Sequence, residues 1–484
     1  MRAISRKNLW ERTPLSVKRG IGWVISHIPP QWLLGRRFRS HLAFAQAVDH
    51  WSADETRAEQ LYRLRRILTL ASQKSPYYRR VFKAIGFDIR ELKSPEDIAD
   101  LPLIDKSTIR AHGREMMTTL PGSAGVDFVS TGGSSGQPLG FHIGADRSAV
   151  EYAYLVAGWQ RVGYTPESVQ AVFRGQVVSP DATGLRHEYD PILRRHAYSN
   201  FHMSDAEIWR YLTHISTIGP CFLHVYPSSI AAITRFLVQS GQEAPRNVRG
   251  ILAGSEMVHA ADRDATERLW GVRYFSWYGH SEKLVLAAEC EHSNDYHVWP
   301  TYGHFELLDE HGRPVTTQGQ VGEIVGTGFI NTVTPFIRYR TGDYATYVGN
   351  TCSHCGRHMP IIRDIQGHRT QELLVAIDGS LIAWTAINMH DETFNAVRQF
   401  QFRQHTPGCA TLRVVPWTKL TDVQLHRMRR NLERKLAGRI HFDIEPCETI
   451  ELTQRGKSTY VDQRIDLETY LSGKTETHTA CEVR

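Results

Sequence analysis

At 484 residues the chain is too long for one small core, and a prior of about 150 residues per domain points to two or three domains. Its 41% apolar and 22% charged residues are those of a soluble globular protein, and a net charge of +6 is too small to argue for nucleic-acid binding, although it permits anionic ligands. Seven cysteines in a chain this long do not make a disulfide framework, so a reducing, cytoplasmic setting is the default expectation.

Residues 1–54 read as a basic arm with Lys18, Arg19, Arg36, Arg37 and Arg39 solvated. Its most apolar stretch, Ile21 to Ile25, is cut by Pro29-Pro30 well short of the roughly 20 residues of a membrane span, so no transmembrane segment is expected. No small-residue cleavage site follows it, and the alternative for this stretch is a basic amphipathic contact with an anionic membrane. Over 55–85 the apolar residues Leu61, Leu64, Ile67, Leu68 and Ala71 have helical spacing, which Pro76 breaks. A further helix is expected from Asp146, an acidic cap, to Trp159.

Between them Val129 to Pro138 form a hydroxyl- and glycine-rich loop flanked by strand-like runs. Gly132, Gly133 and Gly136 let backbone approach a ligand, and Thr131, Ser134 and Ser135 offer donors to an anion. Gly132 to Gly136 also fits the elbow of a serine hydrolase, with Ser134 as nucleophile, but that elbow needs a helix next. Here Leu139 to Ile143 alternate like a strand, and no Gly-Lys-Ser/Thr closes a P-loop. What remains is a glycine loop on a hairpin, able to close over a nucleotide, or an ordinary solvated turn.

From Gln170 onward strands alternate with helices. Gln170 to Arg174, Cys221 to Tyr226, Gly250 to Ala253 and Val272 to Trp277 read as strands, with helices over 230–238, where Ser228 is the expected cap, and over 260–270. This alternation predicts a parallel sheet, and ligands of such sheets bind beyond the carboxyl ends of the strands. Tyr226, Gly254, Ser255, Glu256, Tyr278, Gly279 and Glu282 fall there. From about Tyr296 to Tyr347 short alternating runs predict an antiparallel sheet beside the main one. After Gly367 the composition changes, and strands at Leu373 to Ile377 and Arg398 to Arg403 with a basic helix over 422–436 predict a small α+β domain.

The order of the motifs carries a resemblance. Ser75-Pro76-Tyr77-Tyr78-Arg79, Leu101 to Lys106, Val129 to Pro138, Tyr278-Gly279-His280-Ser281-Glu282, Arg338-Tyr339-Arg340-Thr341-Gly342-Asp343 and Gln454-Arg455-Gly456-Lys457 occur in sequence. Together they resemble the adenylate-forming superfamily, most closely its phenylacetate-CoA ligase-like and CapK-like branch, from about residue 60 onward. The resemblance implies an α/β fold: a large domain over 55–366, with a parallel sheet and an antiparallel subdomain, and a small mobile α+β lid over 367–484.

It also implies a two-step reaction in which ATP and a small-molecule carboxylic acid give an acyl-adenylate, and coenzyme A or a carrier-protein thiol takes the acyl group. Thr131 to Gly136 would hold the phosphates, Tyr278 would stack on adenine, and Asp343 would accept from the ribose hydroxyls. Gly254, Ser255, Glu256, Gly279 and Arg340 would complete the ATP site, with Glu282 on Mg²⁺ and Lys457 bridging the α-phosphate and the attacking carboxylate. Singly, each has a bland reading: Asp343 in a tight turn, Tyr278 as a packed aromatic, Glu282 as a helix-start carboxylate, Lys457 as a solvated lysine. The chain departs from the pattern at Gln137, where the family carries Lys, and at Gly367-His368, with Gln371 or Glu372 near the pivot. Those departures keep open a divergent non-catalytic protein or an adenylyltransferase acting on a cofactor.

Cys352-Ser353-His354-Cys355 has the spacing of a zinc knuckle, and Cys290 with His292 or His297 completes a tetrahedral set. Some relatives carry a cysteine cluster here. Such a Zn²⁺ would be structural, and the alternative is a set of reduced, unrelated thiols. The acyl pocket is expected within residues 170–300, with Arg174, His202, His224 and Trp277 among its lining.

Overall fold

In a computed structural model the described residues are 28–130, 139–174, 178–200, 202–367, 373–377, 379, 381–383, 394, 396–436, 438–451, 459–467 and 470. No helix among them is long and apolar enough to cross a membrane.

The helical layer begins earlier than the sequence suggests. Helix α1 (Gly35–Val48) buries Phe38, Leu42, Ala45 and Val48, spaced for one face, against α2 (Arg147–Trp159). The solvated arm expected over 1–54 is therefore shorter, and Arg37 within it pairs with Asp146 rather than standing free. Between these helices in sequence, Ala53–Lys74 and Pro76–Ile85 form two helices broken where Pro76 predicts. Ser52 and Glu55 form a reciprocal capping box at the first, and Ser75 Oγ accepts from Tyr78 N at the second.

One twelve-stranded sheet forms the body, in the spatial order β11-β12-β13-β14-β10-β9-β8-β7-β6-β3-β5-β4. Its parallel part is β5 (Arg195–Tyr198), β3 (Val169–Phe173), β6 (Cys221–Val225), β7 (Val248–Gly254) and β8 (Tyr274–Gly279), with β4 (His187–Asp190) antiparallel at the edge. Helices Asp205–Ile215, Pro227–Ser240 and Ala260–Trp270 connect the strands and share an apolar core with them.

The antiparallel strands continue this sheet instead of lying beside it. They are β9 (Leu286–Glu289), β10 (Tyr296–Val298), β11 (Gly303–Leu308), β12 (Val321–Gly328), β13 (Tyr339–Gly349) and β14 (Ile361–Gly367). The join is narrow: β10 meets β14 through the register pairs Tyr296↔Ile362 and His297↔Ile361. Close approach of the Leu284–Val285 segment explains a glycine here, because a Cβ on Gly303 would lie 1.9 Å from the Leu284 carbonyl oxygen.

The leader motifs serve this half of the sheet. Tyr78 Oη donates to Pro335 O at 2.8 Å, and Arg338, held at φ 51°, donates to Leu101 O at 2.6 Å and pairs with Glu306 at 2.8 Å. Ile104 N and Arg340 N complete the bridge, donating to Arg338 O and Ile104 O. Strands β1 (Val126–Ser130) and β2 (Gly140–Gly144) form the expected hairpin in the register Ser130↔Gly140.

The C-terminal part has its own core, with Phe402, Leu412, Val414, Leu432 and Phe442 fully or nearly fully buried. Its sheet runs β19-β18-β17-β20, made of β17 (Val397–Thr406), β18 (Cys409–Pro416), β19 (His441–Pro446) and β20 (Val461–Gln463), beside the helix Asp422–Lys435 and the pair β15 (Leu373–Val375) and β16 (Leu381–Ala383). Among the described residues Cys221, Cys290, Cys352, Cys355 and Cys447 are free thiols.

Candidate active site

The carboxyl ends of β3, β6, β7 and β8 converge on Arg174. Its Nη1 lies 2.8 Å from His224 Nε2, its Nη2 donates to Ser255 Oγ at 2.6 Å, and its guanidinium sits 5.0 Å from the Tyr226 ring and 5.3 Å from the Trp277 ring. Burial, then the Arg174 charge, holds the His224 pKa well below its ordinary value, so the imidazole is neutral. Its Nε2 then accepts from Arg174 while Nδ1 donates to Gln170 Oε1 at 3.2 Å.

Gly254 makes room for the Trp277 indole, which a Cβ would meet at 2.5 Å, and Ser255 turns the chain at φ 70°. Glu256 accepts from Ser228 N at 2.9 Å, so the start of helix Pro227–Ser240 is held by this carboxylate and not by the Ser228 side chain. His202 belongs elsewhere, with its Nδ1 2.9 Å from Ser199 Oγ.

The second cluster joins the two halves of the sheet. Tyr278, at the end of β8, donates to Asp343 Oδ2 in β13 at 2.8 Å. Burial, then the Asp343 charge, pushes the Tyr278 pKa well above its ordinary value, so the phenol remains a donor. The turn beneath Asp343 is braced: Asp343 N donates to Thr341 Oγ1 at 3.0 Å, Gly342 N to Glu323 Oε1 at 3.2 Å, and Arg340 Nε to Glu323 Oε2 at 2.8 Å. Arg340 is thus engaged with Glu323.

After Gly279 the chain turns, with Lys283 at φ 60° and its side chain on Glu151 at 2.6 Å. This turn places Glu282 inside, 6% exposed, with Oε2 3.4 Å from His280 Nδ1. Burial acts to raise the Glu282 pKa, but His280 and the more distant Lys106 outweigh it, leaving the value below the ordinary carboxylate range. A buried carboxylate kept ionised suits a hard cation. Lys106 and His280 were not singled out from the sequence, and only the folded leader brings Lys106 within electrostatic range.

The phosphate-loop candidates Thr131, Gly132, Gly133, Ser134, Ser135 and Gly136, with Gln137, lie outside the described residues, as do His368, Gln371 and Lys457. Their flanks are described: the loop joins β1 to β2, and the Lys457 segment joins β19 to β20.

A third cluster lies at the narrow join of the sheet. The ligand atoms of Cys290, His297, Cys352 and Cys355 all lie within 4.8 Å of one another. Zn–S bonds of about 2.3 Å put the corners of a tetrahedron about 3.8 Å apart. The Cys355 Sγ to His297 Nε2 separation is 3.8 Å. Three thiols and one imidazole are a donor set that suits zinc. His292 instead donates its backbone N–H to Cys290 Sγ at 3.5 Å.

No protein-family model matches the chain. It is similar to phenylacetate-coenzyme A ligase of Aromatoleum evansii, 25% identical over 338 residues that cover 68% of this chain and 74% of the relative. The phenylacetate-coenzyme A ligase of Pseudomonas putida is 26% identical over 345 residues, 69% and 75% of the two chains. Protein CapK of Staphylococcus aureus is 22% identical over 273 residues, 56% of this chain and 58% of CapK. Among solved structures, 2-hydroxyisobutyryl-CoA ligase in complex with R3-HIB-AMP shares the fold, with a TM-score of 0.63, 21% identity, and 86% of this chain and 91% of that chain covered. In sequence the chain is thus similar to the phenylacetate-coenzyme A ligases and CapK, and in fold to a solved acyl-CoA ligase.

Proposed function

We propose that the protein uses ATP to activate a small-molecule carboxylic acid and transfers the acyl group to a thiol, that of coenzyme A or, as the alternative acceptor, of a carrier protein. The observation that carries this reading is the Tyr278–Asp343 hydrogen bond beside buried Glu282, at the strand ends where a nucleotide would bind. In the first step a carboxylate oxygen of the acid bonds to the α-phosphorus and pyrophosphate leaves. In the second, the thiol sulfur bonds to the acyl carbon, its proton goes to solvent, and AMP leaves.

The chain's own residues have distinct tasks in this scheme. Asp343 fixes the ribose, Tyr278 presents its ring to adenine, and Thr131, Ser134 and Ser135 hold the phosphates. Glu282 would hold Mg²⁺, which supplies charge neutralisation on the phosphates when bound. Lys457 stabilises charge that grows as the bond to phosphorus forms. The Arg174 cluster forms the floor of the acyl pocket, and the Cys290, His297, Cys352 and Cys355 set holds a structural Zn²⁺. The compartment we assign is the cytoplasm.

Purified protein should exchange labelled pyrophosphate into ATP when its own acid is present, and form a thioester when coenzyme A is added. A panel of aryl, aliphatic, amino and sugar acids tests this. Exchange without thioester would favour an adenylyltransferase, and no ATP binding by calorimetry would favour a non-catalytic protein. Ester hydrolysis without ATP that disappears in Ser134→Ala would hand the site to a hydrolase.

A further inference from the structure

Three histidines with no recognisable sequence spacing meet at the far edge of the sheet. His187 is on β4, His196 on β5 and His214 on helix Asp205–Ile215, and one ligand nitrogen from each lies within 4.8 Å of the others. His187 Nε2 is 2.9 Å from His196 Nδ1, and the His187 and His214 rings are 4.4 Å apart. We propose that His187, His196 and His214 form a second metal site, taking a divalent transition-metal ion through three imidazole nitrogens with a remaining position for water.

Several features of the surroundings suit a ligand set better than three stray side chains. All three rings are half-buried, so a metal can be reached from solvent. Tyr198 Oη lies 2.8 Å from His214 Nδ1, which leaves Nε2 as the ligand atom and supplies the outer hydrogen bond that metal-bound imidazoles use. Asp181 acts electrostatically on both His187 and His214. Its Oδ1 accepts from Thr183 N at 2.8 Å and Leu185 N at 3.1 Å, fixing the carboxylate. Imidazole donors select Zn²⁺, Co²⁺, Ni²⁺ or Cu²⁺ over Mg²⁺ or Ca²⁺.

This site is distinct from the cysteine cluster and from the proposed adenylation site. From β8, which carries Tyr278, to β5 the sheet order runs through β7, β6 and β3. Four steps of about 4.8 Å give roughly 19 Å between them. A metal here would pin the edge hairpin β4–β5 to its helix, where β4 otherwise presents an open strand edge.

Cobalt titration of untagged, chelator-treated full-length protein separates the two sites. Co²⁺ held by the cysteine set gives sulfur-to-cobalt charge-transfer absorption, and Co²⁺ on imidazoles gives none. Wild-type protein should bind about two Co²⁺ per chain, one in each spectroscopic class. His214→Ala and His196→Gln should each remove the sulfur-free equivalent and keep the charge-transfer band, which also reports an intact fold. Tyr198→Phe should weaken that equivalent by about 10-fold or more. Cys352→Ser should do the opposite, losing the band and keeping the second equivalent. Wild-type protein that binds no sulfur-free Co²⁺, or histidine variants that bind as much as wild type, would show that the 2.9 Å contact is only an imidazole–imidazole hydrogen bond. Neither result depends on turnover, so the proposed ligase reading stands or falls separately.

Discussion

Lys457→Ala is expected to slow acyl-adenylate formation by ~10²-fold or more while ATP affinity stays within a few-fold of wild type. A cation that meets the α-phosphate only as the new bond forms stabilises the transition state more than bound ATP, so its loss appears in the rate. Asp343→Ala should act in reverse. Its carboxylate holds the ribose equally before and during reaction, and its loss also removes the acceptor of the Tyr278 hydroxyl, so nucleotide affinity falls first.

The two-domain build makes the first effect separable from folding. Among the described residues the small domain meets the large one through isolated polar and aromatic contacts, including Arg398–Asp205 at 3.4 Å, Arg235 Nη1 to Arg398 O at 3.3 Å and His259 against Tyr460 at 4.8 Å. Such a boundary permits a domain swing. Pyrophosphate exchange and calorimetry on both variants check the pair. Full exchange activity in Lys457→Ala, together with unchanged ATP affinity in Asp343→Ala, would sink the assignment of both residues.

Protein purified without chelator is expected to contain about one Zn²⁺ per chain in a form that Cys352→Ser abolishes. Cys290 and His297 come from neighbouring strand ends, while Cys352 and Cys355 come from the loop before β14, so the ion ties segments far apart in sequence. At free zinc about 1,000-fold above its Kd, binding to the folded state alone contributes about 4 kcal/mol. Chelation should therefore lower the melting temperature of wild type by more than that of Cys352→Ser, which keeps only the histidine site. Metal-free protein that melts at the same temperature as metal-loaded protein would remove the structural role.

The elements that the sequence disclosed are those with a local signal. Helices at 53–74, 147–159, 260–270 and 422–435 carry apolar spacing and end signals, and their observed bounds lie close to the expected ones. The hairpin β4–β5 and helix Asp205–Ile215 carry weaker signals, and they are held by long-range aromatic contacts such as Phe173 on Tyr198 at 5.0 Å. Strands β9 and β10 have four and three residues, too short for alternation to show.

The site divides in the same way. Tyr278 and Glu282 were marked as candidates by their place beyond a strand end, whereas Asp343 entered only through the resemblance carried by Arg338 to Asp343. The Arg174 cluster was visible only as separate candidates, since its partners His224 and Ser255 lie 50 and 81 residues away. The choice of His297 over His292 follows from strand β10, which sets His297 inward, fully buried.

The join between β10 and β14 divides the large sheet into two blocks that can lose protection separately. Among the described residues Tyr296↔Ile362 and His297↔Ile361 are the register pairs across it, with Val298 N donating to Pro360 O at 2.8 Å, so the block containing β11 to β14 has little backbone hydrogen bonding to the parallel block. The cysteine–histidine cluster and the Tyr278–Asp343 contact span that splice, beside the Arg363–Asp295 and Arg357–Glu291 ion pairs. Metal and nucleotide would therefore favour the same docked arrangement, and each should tighten the other's binding by one shared coupling factor. In hydrogen exchange, stripping the metal should expose amides of β13 and β14 ahead of β6 and β7, and saturating ATP should restore part of that protection. Uniform loss across both blocks would mean that they open as a single unit. If the blocks do open separately, an ion far from the chemistry sets how often the nucleotide seat is whole.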